Sequence, residues 1–129
     1  MTREAKEILL KDLCARLPYG VKVQSTFYNC DGTIWKYENE ILTAGLLGYP
    51  ITRYKPYLFP LSSMTEEQEK EYNLLRNFVP IYYYGFDIIV DKELYDNWES
   101  IDYLNAHHFD YRGLIEKGLA IDATNLNIY

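Results

Sequence analysis

The residues best suited to chemistry are His107, His108 and Asp110. Imidazole titrates near neutral pH and ligates metals, and a carboxylate two positions on can orient a ring, so the three could serve a hydrolytic or metal-assisted reaction. Spacing weighs against this. Adjacent helical residues point about 100° apart, so the two rings cannot face one small site on regular backbone. One His with one carboxylate also falls short of the three protein ligands common at a catalytic zinc. The competing structural role, which is favoured, places one histidine at a helix end and Asp110 as the cap of the next helix. No catalytic residue is assigned outright, and no metal site or cofactor is expected. Arg112, within Tyr111-Arg112-Gly113, could grip a carboxylate or phosphate with its fork of donors, but an ion pair with Glu116 at i+4 is favoured.

Tyrosine is the compositional anomaly, 14 of 129 residues. A phenol ring covers much area at little conformational cost and keeps a hydroxyl at its rim, which suits contact surfaces. Two groups stand out as binding candidates: Tyr54, Tyr57 and Phe59 on a Pro-rich segment, and Tyr82, Tyr83 and Tyr84 in a β-favouring run. At least one of the two is expected to expose a contiguous apolar patch larger than a few hundred Å². The acids Asp87, Asp91, Glu93, Asp96, Glu99 and Asp102 read as a solvated face, because an EF-hand spacing is absent. Walker A, G-x-S-x-G, H-E-x-x-H and G-x-G-x-x-G patterns are also missing.

These residues need elements to hold them. Ala5, Ile8, Leu9, Leu13 and Leu17 recur at helical spacing, Thr2 can cap the helix they define, and Pro18 with Gly20 ends it. Alternation then predicts a hairpin over 21–39 with Cys30-Asp31-Gly32 as a three-residue loop. That register sets Phe27 opposite Trp35, Ser25 opposite Tyr37 and Val23 opposite Asn39, and gathers Val21, Val23, Phe27, Trp35 and Tyr37 on one face. Between Ile41 and Met64, Pro50, Pro56 and Pro60 exclude a central strand, so a helical turn near Leu42–Leu47 and an extended segment over the core are expected. Thr65 and Gln68 form a capping box for a helix of about 66–78 whose buried end is Leu74, Leu75 and Phe78. The run of about 81–90, with Gly85 as a bulge, should pair with the hairpin. A helix from Glu99 or Ser100 to about His108, a capped turn from Asp110 to Gly118, and a short strand near Leu119–Ile121 complete the chain. The expected fold is a single α+β domain over 1–129: a small antiparallel sheet, hairpin 21–39 plus strand about 81–90, packed against three to four helices.

Net charge is −6, from 13 basic and 19 acidic side chains. The acids concentrate after residue 56, which disfavours nucleic acid as a partner and suits a neutral or basic one. No run approaches the roughly 20 apolar residues of a membrane helix, and the first residues lack a secretory signal, so a cytoplasmic address with no membrane partner is expected. Cys14 and Cys30 have neither CxxC spacing nor a Cys/His cluster nearby and read as two buried thiols.

Three stretches carry a resemblance: residues 12–21 (DLCARLPYGV), 55–67 (KPYLFPLSSMTEE) and 102–120 (DYLNAHHFDYRGLIEKGLA). They resemble recurring blocks of a family of small uncharacterised proteins from gut Bacteroides-type bacteria, their phages and mobile elements. The resemblance implies provenance and a cytoplasmic location, and it supplies no activity or catalytic residues. Together these readings point to a non-enzymatic accessory or protein-interaction module that binds a protein partner or itself through Tyr54, Tyr57, Phe59, Tyr82, Tyr83, Tyr84 and Arg112. The alternatives are an enzyme using His107, His108 and Asp110, or an acidic mimic of nucleic acid.

Overall fold

The computed structural model describes the backbone of residues 1–84 and 87–129 and the side chains of residues 1–76 and 96–129. The chain is α+β and forms two compact units, residues 1–63 with 105–129 and residues 64–104.

In the first unit, the Thr2 hydroxyl accepts the Ala5 N–H at 3.1 Å and opens helix α1 (Arg3–Arg16). Pro18 draws the chain into a 3-10 turn, and Gly20 leaves it at φ 68°. Strands β1 (Lys22–Tyr28) and β2 (Ile34–Ile41) form the expected hairpin. Its loop is closed by Asn29 N–H on the Thr33 carbonyl at 2.8 Å, and Gly32 takes the left-handed position at φ 88°. The Asp31 carboxylate accepts both the N–H and the hydroxyl of Thr33, at 3.0 and 2.7 Å, and these bonds hold its pKa below the usual carboxylate range. Phe27 faces Trp35 and Ser25 faces Tyr37, as the pattern predicts, but Val23 faces Glu40 rather than Asn39. A β-bulge is the cause: Glu38 and Asn39 together oppose Gln24, and Asn39 takes φ 58°, which asparagine tolerates better than most residues.

The third strand of this sheet is not the run of about 81–90. It is β3 (Tyr54–Pro60), in the segment whose prolines were expected to bar a central strand. Pairing explains the tolerance. The antiparallel ladder with β1 covers Tyr54 to Pro56 and stops there, whereas the parallel ladders, with β7 (Ile121–Asp122) and β6 (Phe109–Asp110), begin at Tyr57 on the other side. Neither ladder runs through Pro56, so its missing N–H interrupts none. The sheet is therefore mixed, in the order β2-β1-β3-β6 with β7 also on β3. Before β3, the expected helical turn appears as a 3-10 turn at Leu46–Gly48, followed by a second at Ile51–Arg53.

Alternation along β3 divides the core. Tyr54 and Leu58 join Leu9, Leu13, Val21 and Val23 on one face, and Tyr57 and Phe59 join Ile121, Ala123 and Ile128 on the other. Asp110 then organises the turn that follows β6. Its two carboxylate oxygens accept the N–H groups of Leu114 and Ile115, each at 2.9 Å. The turn closes with Leu119 N–H on the Leu114 carbonyl and Gly118 N–H on the Ile115 carbonyl, with Gly118 at φ 71°, a Schellman arrangement.

In the second unit, the capping box forms as expected: Gln68 N–H donates to Thr65 Oγ1 at 3.2 Å and Thr65 N–H to Gln68 Oε1 at 2.9 Å. Helix α2 (Glu66–Leu75) ends before Phe78, which lies in strand β4, and Leu74 is exposed rather than buried. Strands β4 (Asn77–Tyr84) and β5 (Asp87–Tyr95) pair antiparallel as a separate two-stranded sheet, so the single strand expected at about 81–90 is two. The Gly85 bulge lies outside the described residues. Helix α3 (Trp98–Ala106) starts earlier than expected because Asn97 is its cap: Asn97 and Ser100 exchange backbone-to-side-chain bonds at 2.8 Å each. Tyr72 and Tyr103 stack with centroids 6.3 Å apart, and each hydroxyl bonds an acid, Asp96 and Glu71 respectively. Burial, with those acids adding to it, pushes both phenols up to about 12. Charge divides between the units: ten Lys and Arg against nine Asp and Glu in the first, three against ten in the second.

Candidate functional site

Two assemblies in the first unit bear on function, one closed and one open. The closed one begins on α1, where Asp12 and Arg16 lie one turn apart on the same side as Leu9 and Leu13 and are fully buried. Arg16 Nε bonds Asp12 Oδ2 at 2.9 Å, and Arg16 Nη2 donates to the Phe109 carbonyl at 2.5 Å. The second Asp12 oxygen accepts Arg112 Nη1 at 2.9 Å. Arg112 Nη1 also reaches the Tyr111 hydroxyl at 2.8 Å, and that hydroxyl donates to Asn105 Oδ1 at 2.9 Å. The Tyr111 ring lies beneath both guanidinium groups, 5.2 Å from Arg16 and 4.5 Å from Arg112. One fully buried carboxylate thus sits between a buried guanidinium and a partly exposed one, and removing the buried partner strands a charge.

Beside this network, His108 stacks on Tyr129 with centroids 3.7 Å apart and ring planes 12° apart. Burial, with Arg16, His107 and Lys22 adding to it, lowers the His108 pKa to about 4, so the ring is neutral at pH 7. His108 also ends α3 in the left-handed region, at φ 61°, and its carbonyl accepts Phe59 N–H at 2.8 Å. The Tyr129 hydroxyl lies where the β1–β3 ladder would have continued past Pro56. It accepts Lys22 N–H and donates to the Tyr57 carbonyl, each at 2.8 Å, while Lys22 Nζ holds the Ile128 carbonyl at 2.7 Å.

The candidate residues therefore divide. His107, His108 and Asp110 do not converge: His107 is exposed, His108 is stacked on Tyr129, and Asp110 spends both oxygens on backbone N–H groups. Arg112 pairs with Asp12, not with Glu116. Tyr54 and Tyr57 are buried and Phe59 is half-buried, so of the two segments this one does not expose a patch: it is a central strand with core on both faces. Burial raises the pKa of both tyrosines. The side chains of Tyr82, Tyr83 and Tyr84, and of Asp87, Asp91 and Glu93, lie outside the described residues. Cys14 and Cys30 are free and exposed rather than buried, because one is on the outer side of α1 and the other in the hairpin loop. Among the described residues, no three His, Cys, Asp or Glu side chains are grouped to hold a metal, and no helix is long and apolar enough to cross a membrane.

The open assembly is the hairpin. Seven of the eight β2 residues are exposed, including Ile34 (56%), Trp35 (56%), Tyr37 (47%) and Ile41 (56%), and Tyr28 across the ladder is 70% exposed. Phe27, Tyr37 and Tyr49 meet edge to face, Trp35 leans on Tyr37, and the Arg53 guanidinium covers Phe27 and Tyr49 from 5.0 and 5.2 Å. The predicted apolar face exists, but the core covers only its Val21–Val23 end. On the sheet's other face, Gln24, Glu38, Asn39 and Tyr57 line a shallow groove of about 300 Å³ with Ile121, Leu126 and Ile128.

Sequence reasoning did not single out Asp12, Arg16, Asn105 or Tyr129. Asp12 and Arg16 carried a visible signal, since on a helical wheel both fall within about 60° of Leu9. An acid and a base four apart inside an apolar stripe mark a buried pair. Compared with known proteins, the chain matches no family model, no curated protein and no solved structure.

Proposed function

We propose that this chain is a non-enzymatic protein-interaction module whose contact surface is the β1–β2 hairpin. The carrying observation is the half-exposed set Trp35, Tyr37, Ile34 and Tyr28 on a strand with no neighbour on its outer side among the described residues. A row of unpaired backbone groups flanked by aromatic rings has the chemistry of a protein contact, because main-chain bonds supply affinity and the rings supply buried area. Of the residues with catalytic chemistry, Asp110 spends both oxygens on backbone N–H groups, Arg112 is held by Asp12, and His108 is stacked on Tyr129. A cytoplasmic role as an accessory protein of a bacterial mobile element or phage accords with the resemblance and with the lack of a membrane-spanning helix among the described residues.

The test is affinity capture from host lysate with the wild-type chain and with Trp35→Ser/Tyr37→Ser as baits, matched for thermal stability. A protein retained by the first and lost with the second supports the hairpin as the contact surface. Equal capture by both baits overturns it.

A further inference from the structure

We propose that β2 is the seat of a two-fold contact between two copies of this chain, pairing antiparallel with its symmetry mate about Tyr37. The inference rests on the hairpin as a contact surface and names its occupant. Because the hairpin closes on Asn29 N–H to the Thr33 carbonyl, Trp35 and Tyr37, two and four residues on, turn their backbone polar groups toward β1. Ile34 and Lys36, which alternate with them, turn N–H and C=O to the free edge. The bulge at Glu38 and Asn39 ends the straight stretch, so a ladder centred on Tyr37 runs only from Lys36 to Glu38 of each strand.

Charge selects the register. Lys36 and Glu38 are exposed, stand two residues apart on one face, and join no ion pair among the described residues. In a ladder centred on Tyr37, Lys36 of one copy lies opposite Glu38 of the second copy, and the two-fold axis repeats the pair. Moving the axis to Lys36 sets lysine against lysine and loses both pairs. On the opposite face, Tyr37 meets its symmetry mate at the closer, non-hydrogen-bonded spacing, where aromatic rings pack well. Net charge permits the approach, because the unit that carries β2 is nearly neutral and the acid excess belongs to residues 64–104. A strongly basic partner would find its complement on that second unit instead.

Sedimentation velocity at low salt, over a wide concentration range, tests this with the wild type, Lys36→Glu, Glu38→Lys, the double swap, and an equimolar mixture of the two single variants. The wild type is expected to dimerise, and each single variant alone to associate about tenfold more weakly or less, because both of its cross-strand pairs become like-charged. The double swap and the mixture regain the dimer, since each restores two opposite-charge pairs. That recovery also shows that the single variants are folded. A monomeric wild type, single variants that dimerise undiminished, or a failure of the mixture to recover overturns the proposal. A monomeric wild type that still captures another protein through Trp35 and Tyr37 removes the second copy and leaves the hairpin reading standing.

Discussion

At the scale of single residues, the decisive feature is one buried carboxylate shared by two guanidinium groups. Arg16 has its Nε on Asp12 and its Nη2 on the Phe109 carbonyl, while its Nη1 has no hydrogen-bond partner among the described residues. Arg16→Ala strands Asp12 with only Arg112 and is expected to cost roughly 3–5 kcal/mol, measured by urea unfolding. Asp12→Leu combined with Arg16→Met removes both charges and should cost less than either single change. A double variant that loses the sum of the singles would show that the two side chains do not act as a pair. His108 gives a pH signature of its own. Its folded pKa of about 4 lies below the ordinary histidine value of 6.5, so the unfolded chain binds the proton more readily between those values. Stability should be flat above pH 6.5 on this account and fall as pH drops from about 6.5 to about 4, a slope that His108→Phe should reduce in the same unfolding assay.

At the scale of elements, local chemistry in the sequence located most starts and stops. Thr2, Thr65 with Gln68, Asp110, Gly32 and Gly118 all act as their residue types predict, because caps and left-handed turns depend on neighbours a few positions away. The prolines misled for the opposite reason. Whether Pro56 can sit in a central strand depends on where each neighbouring ladder stops, and those neighbours come from residues 22–28 and 121–122. Tyr129 was hidden likewise, as were the links of Arg16 to Phe109 and of Asp12 to Arg112, since those partners lie far along the chain. The first helix, β3 and the segment after α3 meet here: Arg16 holds the Phe109 carbonyl, Phe59 pairs with Phe109, and Arg112 holds Asp12. The Tyr129 hydroxyl substitutes for a missing rung between β1 and β3. Tyr129→Phe should therefore destabilise the chain by about 1–3 kcal/mol by leaving the Lys22 N–H and Tyr57 carbonyl unpaired. A loss below experimental error in chemical denaturation would mean that water replaces the hydroxyl without penalty.

At the scale of the whole molecule, the described aromatic surface lies on the hairpin, away from Tyr54, Tyr57 and Phe59. Burial of Tyr54 and Tyr57 and exposure of Trp35 and Tyr37 accompany sheet order: among the described residues, β3 is flanked on both sides while β2 has only β1. Sheet order is a long-range property that residue types along one strand do not encode. The central claim is that the hairpin's aromatic face is open to water in the free chain. Trp35 reports on it directly once Trp98, the only other tryptophan, is replaced by Phe. In dilute solution Trp35 should emit near the wavelength of the unfolded chain and be readily quenched by acrylamide, with quenching falling as a binding partner or a second copy covers the strand. Blue-shifted emission from the dilute chain, protected from acrylamide, would contradict the account.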